Sequence, residues 1–295
     1  MRCRLLSHVI VGVLFLNAVS AAQADIPLKV EEILTDQGRY RLELTGTYSN
    51  SDQTGLFVGE PLLIQTGPTS FVVIPTQIGQ IQNNTDTLVG SLGLRYGVTS
   101  KTEITSRVSY LFNESRQVGA TGFSSQSDSY VADAWVGISH EFKGDDQTPA
   151  LLGFGELALY ENRGSDSSNL KSTLIGLTAY KAIDPVVFAI TAAYRASASR
   201  NEGGANVKPG AIWTISPTVV FAANDRVSLS TGFQWTAKQA DSINGQSLFA
   251  RRTQTSLVLG VGYGLQKGSS INLSLKANTS GGQGADLRLS WLQTL

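Results

Sequence analysis

From residue 85 to residue 113 (TDTLVGSLGLRYGVTSKTEITSRVSYLFN) apolar and polar side chains alternate almost one by one. Leu88, Gly90, Leu92, Leu94 and Tyr96 share one face; Thr87, Val89, Ser91, Gly93 and Arg95 share the other. After a turn at 97–101, Ile104, Val108, Tyr110 and Phe112 oppose Glu103, Thr105, Arg107 and Ser109. Successive side chains of a strand point to opposite faces, so this stretch predicts a hairpin with one greasy side and one polar side. A soluble sheet buries the greasy side. An outer-membrane barrel turns it to lipid and lines a wet lumen with the polar side.

The pattern recurs along the chain, at 39–49, 129–142, 151–161, 186–196, 211–223, 226–238, 253–263, 271–277 and 285–295, and 170–180 reads as a further strand with both faces mixed. The connections alternate in length. They are short at 97–101, 144–149, 181–185, 224–225 and 264–269, and mostly longer and more polar between them. Short periplasmic turns and long outer loops are the habit of outer-membrane barrels. The prediction is an all-β fold, a transmembrane antiparallel up-and-down β-barrel of about 12 strands, whose even number returns the C-terminus to the periplasm. Residues 50–84 hold two apolar runs around a Thr66–Thr69 turn, with Pro61 and Pro75 arguing against central strands. They are expected as an extended hairpin in a long first external loop; with 55–81 in the wall the count would rise to about 14.

Charges within the strands fall on the polar parity, with Lys171 the uncertain position. Lipid selects for this, because Arg or Lys on the lipid face at the midplane costs ~2–4 kcal/mol. Aromatics gather near strand ends. Tyr48, Tyr110, Phe112, Tyr130, Tyr194, Trp213 and Trp235 are expected in an outer girdle; Tyr40, Tyr96, Phe142, Tyr180, Phe221 and Tyr263 are expected in a periplasmic one.

The first residues read as a signal peptide over 1–24, with basic Arg2 and Arg4, an apolar run at 9–19 and an Ala22-Gln23-Ala24 cleavage pattern. Cys3, the one cysteine, lies inside it, so the expected mature chain has no disulfide. Residues 25–38 are expected as a short periplasmic segment or a lumen plug, followed by the barrel at 39–295. The 23 basic and 23 acidic residues balance, which gives no basic surface for nucleic acid.

LGLRYGVTSKTEITSRVSY, Asp133–Phe142, and AYKAIDPVVFAITAAYR with its Asp184-Pro185 turn resemble segments of the outer-membrane barrels of the MetA-pathway of phenol degradation family. The similarity covers roughly residues 85–295. It implies a barrel that helps small, often hydrophobic or aromatic, compounds across a bacterial outer membrane. Two features depart from the family pattern. Residues 50–84 are longer and more apolar than its first loop. The chain also ends in Leu295 rather than the terminal aromatic of barrel-assembly signals, although Leu289 and Trp291 keep the alternation. The expected partners are outer-membrane lipid, the barrel-assembly machinery and small-molecule solutes.

Catalytic signals are poor, and no enzyme, cofactor or metal is expected. His140 is the one histidine outside the signal peptide and falls on the lipid parity. The predicted lumen is more informative. Its inward bases are Arg39, Arg41, Arg95, Arg107, Arg195, Arg226, Lys238, Arg252, Lys276 and Arg288; its inward acids are Glu43, Glu103, Asp133, Glu141, Glu156 and Asp286. An excess of bases in a wet lumen favours small anionic solutes, aromatic acids included. Cross-lumen ion pairs that hold a narrow barrel shut are the competing expectation. So is a barrel that anchors a surface adhesion or assembly function carried by the outer loops, with 50–84 meeting a surface partner.

Overall fold

The computed structural model describes residues 34–57, 62–67, 69–74, 79–119, 122–163, 166–248, 250–266, 268–281 and 284–295. The expected signal peptide, and 25–33 of the segment after it, lie outside the described residues.

Twelve strands form one wall: β1 (Tyr40–Phe57), β2 (Gly79–Thr99), β3 (Thr102–Gly119), β4 (Gly122–Lys143), β5 (Ala150–Asn162), β6 (Ser172–Ile183), β7 (Val186–Ser197), β8 (Ile212–Ala222), β9 (Val227–Lys238), β10 (Arg252–Gln266), β11 (Ser269–Ser280) and β12 (Ala285–Thr294). Each pairs antiparallel with its neighbour in the chain, and β1 also pairs with β12, which closes the barrel. Closure satisfies the backbone of every wall strand and leaves no open edge, the condition for a sheet in lipid.

The greasy parity points outward. Leu44, Leu92, Val108, Ile138, Ile175, Phe188, Leu229, Leu259, Leu273 and Leu289 are all exposed. An apolar band around a whole molecule belongs in hydrocarbon, not in water, so this is a bacterial outer-membrane barrel. Tyr40 stacks on Tyr96 with ring centroids 4.7 Å apart, Tyr110 on Phe112 at 4.8 Å, and Tyr194 on Trp213 at 4.5 Å. Two aromatics leave the expected girdles. Tyr180 is buried on the inner face of β6, which it shares with Ser172 and Leu174. Tyr130 packs against an apolar cluster inside the barrel. The cause of the second is a bulge: Ser109 pairs with Asp133 and Tyr110 with Val131, so Ala132 has no partner and the facing of β4 changes phase there. A matching bulge at Leu159 lets Glu161 face inward beside Asp133.

The wall strands reach further than the alternation alone suggested. β1 runs to Phe57 and β2 resumes at Gly79. Between them a small hairpin, Leu62–Gln65 paired with Phe71–Ile74, is turned into the barrel rather than held outside it. Its Ile64 and Val72 pack with the inward-facing Val89, Leu111 and Ala132; Ile64, Val89 and Leu111 are 0 % exposed. Burial of this apolar surface is what holds the hairpin, at roughly 25 cal/mol per Å². At the other end, residues 34–38 lie against the start of the β2–β3 hairpin. A Cβ on Gly97 would sit 2.0 Å from the Asp36 carbonyl, so this contact admits only glycine there. Outside the membrane band, Arg200–Glu202, Ala205–Lys208, Ser242–Ile243 and Gln246–Ser247 form a four-stranded sheet across two outer loops.

Candidate functional site

Below the tip of the inward hairpin lies a cavity of about 190 Å³. Thr66, Gly67, Thr69 and Ser70 form its roof, and Leu34 reaches it from the N-terminal side. Strands β1–β7 supply the walls: Glu43, Arg95, Glu103, Arg107, Trp135, Phe154 and Glu156, with Thr105, Ser139, Thr178 and Thr191. Phe154 has room to lie there because β6 has Gly176, where a Cβ would come 2.2 Å from the ring.

The charges of the cavity are mostly spoken for. Arg95 reaches Glu43 at 3.0 Å and Glu103 at 3.3 Å. Glu103, 1 % exposed, also accepts from the Thr35 backbone N–H and hydroxyl, both at 2.9 Å. Arg107 is the less satisfied cation. It donates to the Ser70 hydroxyl of the hairpin and approaches Glu156 only to 3.7 Å, and its buried Nε has no hydrogen-bond partner among the described residues. Its guanidinium stands 5.9 Å from the Trp135 ring, while that of Arg195 stands 4.9 Å from the same ring. An aromatic face attracts both cations.

Toward the outer end a second set of buried charges follows. Arg195 pairs with Glu161 at 2.6 Å and donates to the Phe71 carbonyl at 2.9 Å. Arg200 meets Glu161 and Glu202, both at 3.4 Å, and Arg163 meets Glu202 at 3.7 Å. Burial, with the like charge of Arg200 beside it, pushes the Arg163 guanidinium down to about 10.

The other predicted residues are scattered. Lys276 pairs with Asp286 at 2.7 Å, and Lys238 with Asp241 at 2.5 Å near the outer loops. Asp133 is buried opposite Glu161, with one carboxylate oxygen unpartnered among the described residues. Glu141 sits at the periplasmic end, where its backbone N–H donates to Lys101. Arg41 reaches the Thr294 hydroxyl at 3.4 Å. Arg288 faces inward and has no ion pair or hydrogen bond among the described residues. Arg39, Arg226 and Arg252 are exposed at the barrel ends. With those three at the rims and Glu161 facing inward, the basic surplus expected of the lumen largely disappears. His140 accepts from or donates to the Thr102 hydroxyl at 2.9 Å and packs edge-on to Phe142, the setting of a girdle residue. No group of His, Cys, Asp and Glu among the described residues could hold a metal ion.

Glu161, Arg163, Arg200, Glu202, Trp135 and Phe154 were not among the residues picked from the sequence. Trp135 had a signal: it shares the polar parity of Asp133 and Glu141. A large aromatic on that face has to pack inside the barrel.

No protein-family model and no curated protein matches the chain. Solved structures do match. An outer-membrane channel from Pseudomonas putida F1 aligns at TM-score 0.65 and 12 % identity, over 92 % of this chain and 100 % of that one. The NanC porin aligns at TM-score 0.51 and 10 % identity, over 85 % and 98 %. The translocator domain of the autotransporter NalP from Neisseria meningitidis aligns at 0.51 and 11 %, over 87 % and 88 %. At these identities the likeness is one of fold, and the fold is the outer-membrane β-barrel.

Proposed function

We propose that the protein is an outer-membrane channel for small solutes, and that the cavity under the hairpin binds small aromatic or anionic ones. One observation carries the reading. Arg107, which approaches Glu156 only to 3.7 Å, lines a cavity whose walls also include Trp135 and Phe154. A guanidinium so loosely paired suits a carboxylate, and aromatic faces suit a flat ring. The resemblance to the MetA-pathway family and the fold shared with a Pseudomonas channel support the same reading.

The test is current through the refolded protein in planar bilayers, with benzoate and benzyl alcohol as probes. Stepwise currents that benzoate reduces in the parent, and reduces less in Arg107→Gln, are the expected result. Absence of any current overturns the channel reading. Equal effects of benzoate on parent and variant overturn the role of the cavity.

A barrel that anchors a surface function is the second reading. Its support is the four-stranded sheet built from two outer loops. The inward hairpin does not serve that reading, because its apolar side chains are buried. Replacing 239–248 with a short Gly-Ser link tests it: lost surface binding with unchanged current favours the anchor.

A further inference from the structure

The pairing register divides the inner wall into two unlike halves. One row of directly paired residues runs through Thr47. On one side it continues as Val89, Leu111 and Tyr130. These are the positions on which the hairpin sits, and Val89 and Leu111 are fully buried beneath it. On the other side the row continues as Arg288, Ser274, Gly260 and Ser230, across β12, β11, β10 and β9. The next row toward the periplasm repeats the pattern with Ser290, Asn272, Gly262 and Ser228.

In these two rows the second half carries short polar side chains and glycines, which take up less of the cross-section than Val89, Leu111 and Tyr130 do. Ser274, Ser230 and Arg288 keep partial solvent exposure, unlike Val89 and Leu111 under the hairpin, while Ser290, Gly262 and Ser228 of the next row are buried. Ile64 and Val72 of the hairpin pack on β2, β3 and β4, the Ser70 hydroxyl accepts from Arg107 of β3, and the Phe71 carbonyl accepts from Arg195 of β7. Among the residues of these two rows on β9–β12, Arg288 has the longest side chain. The carboxylates that act on it are Glu43 and Asp286, and these already hold Arg95 and Lys276. A guanidinium without its own partner stays charged inside a protein only where water reaches it. Glu43 also lines the cavity below the hairpin, so the open half and the cavity adjoin at β1.

We propose that solutes pass beside the hairpin, along the inner wall of β9–β12, and that Arg288 is the residue that sets the charge preference of this path. The inference rests on the channel reading above and adds its route. A cation beside a water-filled path draws anions and repels cations; pores use charged side chains for selectivity in this way.

Cysteine accessibility tests the route without requiring current. The chain has one cysteine, Cys3, and Cys3→Ser clears the background. Single substitutions Ser274→Cys, Ser230→Cys and Val89→Cys are then refolded into vesicles and treated with a small water-soluble methanethiosulfonate reagent. Residues 274 and 230 are expected to react much faster than residue 89, whose site the hairpin covers. Equal rates, or slow reaction at 274 and 230, overturn the route whatever the conductance.

Reversal potentials in a salt gradient test Arg288. Arg288→Gln is expected to weaken anion preference and Arg288→Glu to turn it toward cations, with heat-modifiable migration in gels checking that each barrel has closed. An unchanged reversal potential in a closed barrel overturns the role of Arg288. Rapid labelling at 274 with no current in the parent would instead overturn the channel reading and leave a water-filled, non-conducting half.

Discussion

Arg195 of β7 donates to the carbonyl of Phe71 at 2.9 Å, across a sequence separation of 124 residues. The same guanidinium pairs with Glu161 at 2.6 Å and faces the Trp135 ring. One side chain thus ties the inward hairpin, β5 and β4 to β7. Apolar burial seats the hairpin against β2–β4, and Arg195 fixes its far edge.

Arg195→Met is therefore expected to destabilise the barrel by about 3–5 kcal/mol, because it strands the Glu161 carboxylate and a buried carbonyl together. Equilibrium unfolding in urea, followed by tryptophan fluorescence, measures it. A loss below 1 kcal/mol would mean that Arg200 takes over Glu161; on the exposed-pair scale such contacts are worth only ~0–1 kcal/mol.

Leu92 lies mid-strand on the outer face and is 51 % exposed. Leu92→Arg is expected to cost ~2–4 kcal/mol when the protein folds into lipid vesicles, the price of a cation at the bilayer midplane. Ser274→Arg, on the inner face, is expected to cost much less. Equal costs at the two positions would mean that the exposed apolar band does not face hydrocarbon.

Asp146, in the turn between β4 and β5, is held down to about 2 by the Thr148 backbone N–H first, and then by Lys143 and the Thr148 hydroxyl. A carboxyl with a folded value below its unfolded one adds stability above the unfolded value, and that stability disappears as pH falls through the folded value. The turn should stay intact from neutral pH to about 4 and loosen between about 4 and 2. A carboxyl carbon titration of Asp146 by NMR checks this; a midpoint near the ordinary aspartate value would remove the contact from the account.

Period-two alternation is a local property of the backbone, and it sufficed for the strand number, the closure and the lipid face. Leu88 to Tyr96 must point one way whatever the rest of the chain does. The short turns and longer loops were legible for the same local reason. The facing of Tyr130 was not. A bulge at Ala132 depends on how β3 meets β4, and one inserted residue reverses every side chain beyond it. Glu161 followed for the same reason, through the bulge at Leu159.

The hairpin at 62–74 is the larger case. Prolines at 61 and 75 argue against wall strands there, and that much is written in the sequence. Which side of the wall it occupies is not local. Ile64 and Val72 find their partners in Val89, Leu111 and Ala132 only once the wall has closed around them. The lumen charges behave alike. Parity names the face of Arg107 or Arg288, but only the closed barrel sets Arg107 beneath Ser70 and leaves Arg288 among serines and glycines. Strand, turn and lipid face depend on neighbours in sequence. The filling of the lumen depends on neighbours in space, and those exist only after the ends of the sheet have met.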